Sequence, residues 1–383
     1  MSKYLNVFNT LAEYQAFSAS TEYVQPNVAL VKETNVLYYD YGDNKPQADM
    51  SDFKLETEET SVGGNKFGKE AITKINYIPN GITSLQGAFG GFTSLVSVLE
   101  IPSSVTNMSS TFIGCTSLIN APEIPNSVTN MRYTFQGCTS LINAPEIPSG
   151  VTDMEYTFFG CSSLVNALVI PYSVTGMTST FRNCTSLVNA PVIPSSVTNM
   201  SSTFNGCSSL VNAPEIPNSV RLIDSTFFGC SSLVNAPVIP DSVTNILSTF
   251  RDCTSLVNAP KISSGVTNIE STFRNCSSLV TAPEIPSGVT DMDYTFNGCT
   301  SLVNAPEIPS GVKDMSYTFS GCTSLKEVTF LHTTPPSYNN TLYGCSKLES
   351  IYVPDKSVNA YKTATGWLEF ASKIKPLSEK PSE

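Results

Sequence analysis

Eleven cysteines stand at Cys115, Cys138, Cys161, Cys184, Cys207, Cys230, Cys253, Cys276, Cys299, Cys322 and Cys345, each 23 residues after the last. A fixed period of this size is the mark of a repeat architecture, in which one supersecondary unit stacks on copies of itself. Phenylalanine precedes the cysteine by three residues from Phe112 to Phe319, and leucine follows it by three from Leu118 to Leu348. An earlier copy, Phe89 to Leu95, has Phe92 in the cysteine place. The array therefore counts about twelve coils without insertion or deletion. A chain of 383 residues would otherwise suggest two or three domains. An array escapes that expectation because each unit packs only on its neighbours.

One unit runs from Cys138 through Leu141, Ala144, Ile147, Val151, Met154 and Phe158. Its apolar columns are spaced 3, 3, 3, 4, 3 and 4, which taken alone is a helical period. Pro145 and Pro148 exclude a helix, since proline lacks the amide and clashes with the preceding turn. The spacing fits instead a coil that turns repeatedly and points one side chain inward at each edge. All seven columns, alanine included, are candidates for the core. Stacked coils would sit roughly 4.8 Å apart. The proline after alanine (Pro122, Pro145, Pro191, Pro214, Pro237, Pro260, Pro283, Pro306) cannot donate to a ladder, so any sheet must be narrow or interrupted there.

Charged residues make up only 14% of the chain, leaving Ser, Thr and Asn to form the polar surface. The formal net charge of −11 argues against nucleic acid, which needs a basic face. No run of about 18 apolar residues predicts a membrane span. Met1 to Asn6 carry no apolar leader core, so ordinary secretion is expected only if a leader was removed.

An odd number of cysteines cannot pair fully, and a constant gap lacks the short spacing of a zinc site. Buried structural thiols are expected, in a protein folded in a reducing compartment. The column Asn120, Asn143, Asn166, Asn189, Asn212, Asn235, Asn258 and Asn304, with Thr281 as the exception, is expected to form a buried hydrogen-bonded ladder. Catalysis has little to stand on. His332 is the single histidine, and Glu123, Glu146, Glu215, Glu284 and Glu307 share a column with Val169, Val192, Val238 and Lys261, as a solvated stripe would. No metal or cofactor site is indicated. Specificity in an array belongs to its variable positions. Phe159, Arg182, Phe228, Arg251 and Arg274 follow the phenylalanine, while Tyr133, Tyr156, Tyr294 and Tyr317 stand two residues after the methionine. Their neighbours face inward, so these nine are expected to face outward as candidate binding residues.

The ends differ from the array. Residues 1–75 are a small α+β cap or attachment module, 76–355 the array, and 356–383 a C-terminal cap. In the first, Thr10 and Glu13 suggest a capping box ahead of a helix through Phe17. Val28–Glu33 and Val36–Tyr41 suggest two strands, and Ser61 to Asn65 a flexible joint. In the last, Ser357–Ala364 and Leu368–Ile374 suggest short helices, and Trp367 is expected to cover the end of the core.

The Ile-Pro-x-Ser-Val-Thr-x-Met and Thr-Phe-x-Gly-Cys-x-Ser-Leu segments, recurring over residues 78–355, resemble the BspA-like leucine-rich repeat. The commoner family unit has Ile-Gly-x-x-Ala-Phe before the cysteine. This chain has Met-x-x-Thr-Phe, one residue shorter, with one extra residue before the second proline. The resemblance implies a mainly β or irregular right-handed solenoid and a non-enzymatic surface or adhesion protein of bacteria. The closing segment through Gly366-Trp367 resembles C-terminal closures in proteins of gut Bacteroidetes. The opening Val7-Phe8-Asn9-Thr10 with Pro26-Asn27-Val28 is similar to leading modules of phage structural proteins from the same hosts. Two functions are expected from this. The first is a phage virion display or fibre protein, assembled in the host cytoplasm, that binds protein or glycan on a cell or mucus surface. Its N-terminal module would contact other virion proteins, and it could be a homo-oligomer. The second is a secreted bacterial cell-surface adhesin.

Overall fold

The computed structural model describes residues 72–381, apart from 76–77, 79–81, 99 and 167, and short backbone strands within residues 5–66. The capping box at Thr10 and Glu13 lies outside the described residues. The chain divides into two compact units, residues 1–187 and 188–383.

In both units each coil is a succession of tight turns. In one coil the amides of Val128, Thr134, Cys138 and Leu141 donate to the carbonyls of Pro125, Met131, Phe135 and Cys138, each three residues back. This is the physical meaning of the spacing of three: each turn closes on itself and aims its last side chain inward. The amides that turns leave over bond to adjacent coils, as Phe135 N does to Thr157 O (2.9 Å) and Ser140 N to Thr116 O (3.2 Å).

In the first unit, β1 (Leu5–Phe8) pairs parallel with β2 (Asn27–Val31), which pairs antiparallel with β3 (Val36–Asp40). A short strand β4 (Ala48–Asp49) follows. Then β5 (Ser61–Val62) pairs antiparallel with β6 (Asn65–Lys66), and Gly63 and Gly64 of the expected joint lie outside the described residues. The strands β7 (Lys74–Ile75), β8 (Ile82–Ser84) and β9 (Ser97–Val98) tie this region to the array. β3 pairs parallel with β7 and β7 with β9, and Lys74 and Ser97 occupy the place that Asn120 and Asn143 take one and two coils later. β4 pairs parallel with β8, and Ser84 starts a second ladder through Asn107, Asn130, Asp153 and Gly176. The leading strands thus extend the two ladders of the array.

The second unit carries the same two ladders as single bridges, for example Asn212 to Asn235 to Asn258. The ladder through Asn258, Thr281 and Asn304 widens to a sheet at the end, through β10 (Asn304–Ile308), β11 (Glu327–Phe330), β12 (Ser350–Val353) and β13 (Ile374–Pro376), all parallel. The cause is the proline. Where Pro306 still stands, the pairing of β10 with β11 slips by one residue between Asn304 and Glu307. Where Val328-Thr329 and Ile351-Tyr352 replace Ala-Pro, three consecutive residues pair in register. A β-branched residue with an amide supports a ladder that proline interrupts.

The core is made of columns. Phe, Cys, Leu, Val and Met side chains are fully buried in nearly every coil, with Ile223, Ile246 and Ile269 filling the Met place at similar volume. Phenylalanine rings stack coil upon coil, 5.5 Å apart between Phe112 and Phe135 and 5.6 Å between Phe227 and Phe250. Burying each such side chain contributes about 1.5–3 kcal/mol. The alanine column does not join them: Ala121, Ala144 and Ala213 are only half-buried.

The C-terminal cap holds one short helix, α1 (Val358–Thr363). The expected helix over Leu368–Ile374 is instead a single 3-10 turn, Leu368–Phe370, followed by β13, whose pairing with β12 closes the sheet. Trp367 is fully buried and meets Phe330 (5.2 Å) and Tyr361 (5.0 Å) edge to face. Its indole N–H donates to Pro336 O at 2.9 Å.

Candidate functional site

The variable positions cluster on the turn between methionine and cysteine. From the coil of Ser110 onward, the residue two after the methionine or its equivalent has a left-handed backbone, φ between 52° and 58°, although it is Ser, Tyr or Asn; the first coil has Gly87 there, at 63°. Two side chains hold this turn. An Asn or Asp before the methionine accepts an amide two residues on, as Asn130 Oδ1 does from Arg132 N (3.0 Å). A fully buried threonine before the phenylalanine donates back to the methionine carbonyl, as Thr134 does to Met131 O (2.7 Å). Sequence reasoning missed both roles. Their signal was the recurrence of Thr directly before Phe and of Asn or Asp directly before Met.

The turn gathers the nine candidate residues into one run in each unit, continuous in the first and in the second made of two groups, Phe228 with Arg251 and Arg274 with Tyr294 and Tyr317. In the first, Arg132 lies over Tyr133 (5.2 Å), Tyr133 stacks on Tyr156 (4.7 Å), Tyr156 meets Phe159 (6.2 Å) and Arg182 lies over Phe159 (5.5 Å). In the second, Arg251 lies over Phe228 (5.0 Å), Arg274 over Tyr294 (4.8 Å), and Tyr294 stacks on Tyr317 (4.9 Å). Distances of this size are those of working cation–π and ring contacts. All nine are half-buried and not fully outward as expected, because each covers its neighbour on the next coil. Tyr133 and Tyr294, each covered by a guanidinium and by a stacked tyrosine, therefore offer ring edges and hydroxyls. Arg132, which sequence reasoning passed over, ends the first stack.

Charge is distributed unevenly over the stacks. Arg132 pairs with Glu155 (3.0 Å) and lies 3.9 Å from Asp153. Arg251 has Asp252 at 3.7 Å from its Nε. The Nε atoms of Arg182, Arg251 and Arg274 are buried without a hydrogen-bond partner. Beside the second stack, partial burial together with Asp314, Asp291 and Glu270 pushes the Asp293 carboxyl up to about 6. Glu270 is raised in the same direction, first by burial and then by Asp291 and Asp314.

The other candidates fall elsewhere. The eleven cysteines are buried thiols, each of those from Cys230 to Cys345 directing Sγ at a phenylalanine carbonyl of the preceding coil or its equivalent, as Cys230 does to Phe204 O (3.2 Å). Desolvation pushes up Cys138, Cys161, Cys230, Cys253, Cys276, Cys299, Cys322 and Cys345, the last to about 12, and so away from the thiolate that chemistry requires. The asparagine column is exposed and not buried as expected, since it lies on the outer side of the chain; its backbone makes the bridges, and Asn166 Nδ2 donates to Asn143 Oδ1 at 3.1 Å. Glu123, Glu146, Glu215, Glu284 and Glu307 are exposed in one column. His332 is buried with Nε2 at 2.8 Å from Val312 O, which requires the proton on Nε2. Among the described residues, no group of three or more His, Cys, Asp or Glu is placed to hold a metal, and no helix is long and apolar enough to cross a membrane.

A family model for the BspA type leucine rich repeat region matches in six copies, over residues 60–188, 177–303 and 292–365. No curated protein matches. Among solved structures the chain is similar to a leucine-rich repeat protein from Bacteroides ovatus, at 22% identity, TM-score 0.48, covering 93% of this chain and 100% of that one. It is similar to a leucine rich cell surface protein from Faecalibacterium prausnitzii at 23% identity, TM-score 0.49, covering 87% and 95%. It is similar to the leucine rich repeat protein of T. pallidum at 32% identity, TM-score 0.38, covering 42% and 78%.

Proposed function

The chain belongs to the BspA-type leucine-rich repeat family, and from that premise we propose that it is a non-enzymatic binding protein displayed on a surface, with the two cation–aromatic stacks as its ligand contacts. The observation that carries this reading is the gathering of the variable Tyr, Phe and Arg side chains into two runs, on a surface otherwise built of repeated Ser, Thr and Asn. Tyrosine and arginine dominate binding energetics elsewhere, and rings already fixed by their neighbours lose little freedom on binding. The one histidine is committed to a backbone carbonyl.

The carrier in this reading is a virion, to which residues 1–75 would attach. The buried thiols support it, since such a core folds readily where thiols stay reduced. Family membership supports the second reading, a bacterial cell-surface adhesin.

The test is binding of the purified protein to immobilised mucin glycans and to host cells, with Tyr133→Ala/Tyr156→Ala and Tyr294→Ala/Tyr317→Ala beside the parent. Loss of roughly tenfold or more in affinity in at least one variant, with melting still cooperative, is the expected result. Equal binding by all three proteins overturns it. Mass spectrometry of particle and envelope fractions from the source separates the two carriers.

A further inference from the structure

We propose that the outer edge of the second unit is a contact for a second copy of this chain, which docks antiparallel about a two-fold axis through Val238.

The edge is the stretch of each coil that follows the core leucine, Val234 to Val238 in one coil. Parallel bridges from Asn189 through Asn212, Asn235 and Asn258 to Thr281 hold these stretches side by side, so residues 23 apart form columns. One column is aliphatic and exposed throughout, as Val188, Val211, Val234, Val257 and Val280. The other, four residues on, is mixed, as Val192, Glu215, Val238, Lys261 and Glu284. Val192 and Val238 are 87% and 83% exposed, the most open large apolar side chains among the described residues of this unit. Lys261 is the single basic residue in the column that runs from Glu123 to Glu307. Among the described residues neither Lys261 nor Glu215 takes part in an ion pair, whereas Glu307 is held by Lys380 at 3.1 Å.

The order of the mixed column selects both the occupant and the register. Glu215 and Lys261 stand one coil before and one coil after Val238. A two-fold axis lying in the contact plane, along the coil of Val238, reverses the order of coils in the second copy. Glu215 of each copy then faces Lys261 of the other, and Val238 faces its own equivalent, the self-complementary pattern of an isologous interface. The aliphatic column maps onto itself in the same register, Val211 opposite Val257 and Val188 opposite Val280. Other registers are worse. An axis through Glu215, Lys261 or Glu284 sets like charges together. One between Lys261 and Glu284 pairs those two but lays Val238 on Glu307, and two copies running the same way bring Glu215 onto Glu215. Opposite charges across a contact fix register, and like charges exclude the alternatives. Asp241 opens the next turn, beyond buried Ile239 and Pro240. Five coils span roughly 20–25 Å, so the contact is small and the dimer weak and reversible.

The test is sedimentation equilibrium of the full chain from about 1 μM to about 1 mM, with melting curves as the control for folding. The parent should pass reversibly from monomer to dimer. Lys261→Glu and Glu215→Lys should each weaken dimerisation roughly tenfold or more, because symmetry makes each change twice. The combined variant Glu215→Lys/Lys261→Glu should recover most of the loss, and Val238→Asp, which sets two carboxylates on the axis, should leave monomer alone. A parent that stays monomeric throughout overturns the proposal. So does a dimer that none of these variants weakens, since another surface then forms it. Failure of the combined variant to recover overturns the register centred on Val238.

Discussion

The hydroxyl of Thr134 donates to the carbonyl of Met131 within its own coil at 2.7 Å and lies 2.9 Å from the carbonyl of Met108 one coil back. The carbonyl of Met131 is approached in turn by the hydroxyl of Thr157 at 2.9 Å. One buried oxygen per coil thus closes a turn and joins two coils. Thr134→Val keeps the shape and removes the donor. Loss of a buried hydrogen bond leaves carbonyls less well satisfied, at about 1–3 kcal/mol. Urea unfolding should show that loss for Thr134→Val and a smaller one for Thr134→Ser. A valine variant as stable as the parent would show the bond to be dispensable.

Gly137 sits at φ 73°, a left-handed conformation, and a Cβ there would meet the Cα of Gly114 at 3.6 Å, an ordinary contact. Backbone conformation, not space, is therefore the constraint. Gly137→Ala should destabilise by about 1–2 kcal/mol. Gly137→Asn should cost less, because Asn183, Asp252 and Asn275 hold the equivalent place in other coils at φ of 59° to 60°. Melting curves of the two variants should keep that order.

The period, the core columns and the interruption of the sheet by proline were legible because each depends on residue type at a fixed spacing. The Phe and Leu columns are buried where the spacing placed them. Alanine misled because small apolar residues carry little information about burial. The asparagine column misled because a ladder can be made by backbone alone, leaving the side chain exposed. The candidate residues were found as variable Tyr, Phe and Arg, but their stacking was not. Tyr156 and Phe159 are three residues apart, whereas Tyr133 and Tyr156 are 23 apart, and only the left-handed turn places both contacts on one run. Strand β13 was hidden by a sequence, Ile374-Lys375-Pro376, that pairs only because β12 presents an edge.

Asp293 gives the second unit a pH dependence whose sign can be worked out. Its folded carboxyl is raised to about 6, above the ordinary value of about 3.9. The folded state therefore holds the proton more tightly than the unfolded chain does. Stability attributable to this group falls as pH rises from about 4 to about 6, and the penalty is fully present above that. Asp293→Asn should be more stable than the parent at pH 7.5, with the difference shrinking toward pH 4. A difference constant across that range would show that neither burial nor the charges of Asp314, Asp291 and Glu270 raises the Asp293 carboxyl.

The thiol column offers a readout of cooperativity in each unit. The cysteines from Cys115 to Cys322 are fully buried, and Cys345, at 8% exposure, lies nearest solvent. Thiolate is the reacting form, and burial disfavours it. A maleimide reagent at neutral pH should label the native protein slowly and at Cys345 first, since that thiol lies at the last repeat and its neighbour Lys373 lowers it against the larger effect of burial. In a urea series followed by peptide mapping, the thiols of one unit should become reactive together, because each coil is held by bonds to adjacent coils. Labelling that proceeds inward one coil at a time from Cys345 would instead mean that the end coils fray independently, and that the cap around Trp367 does not hold the last repeats closed.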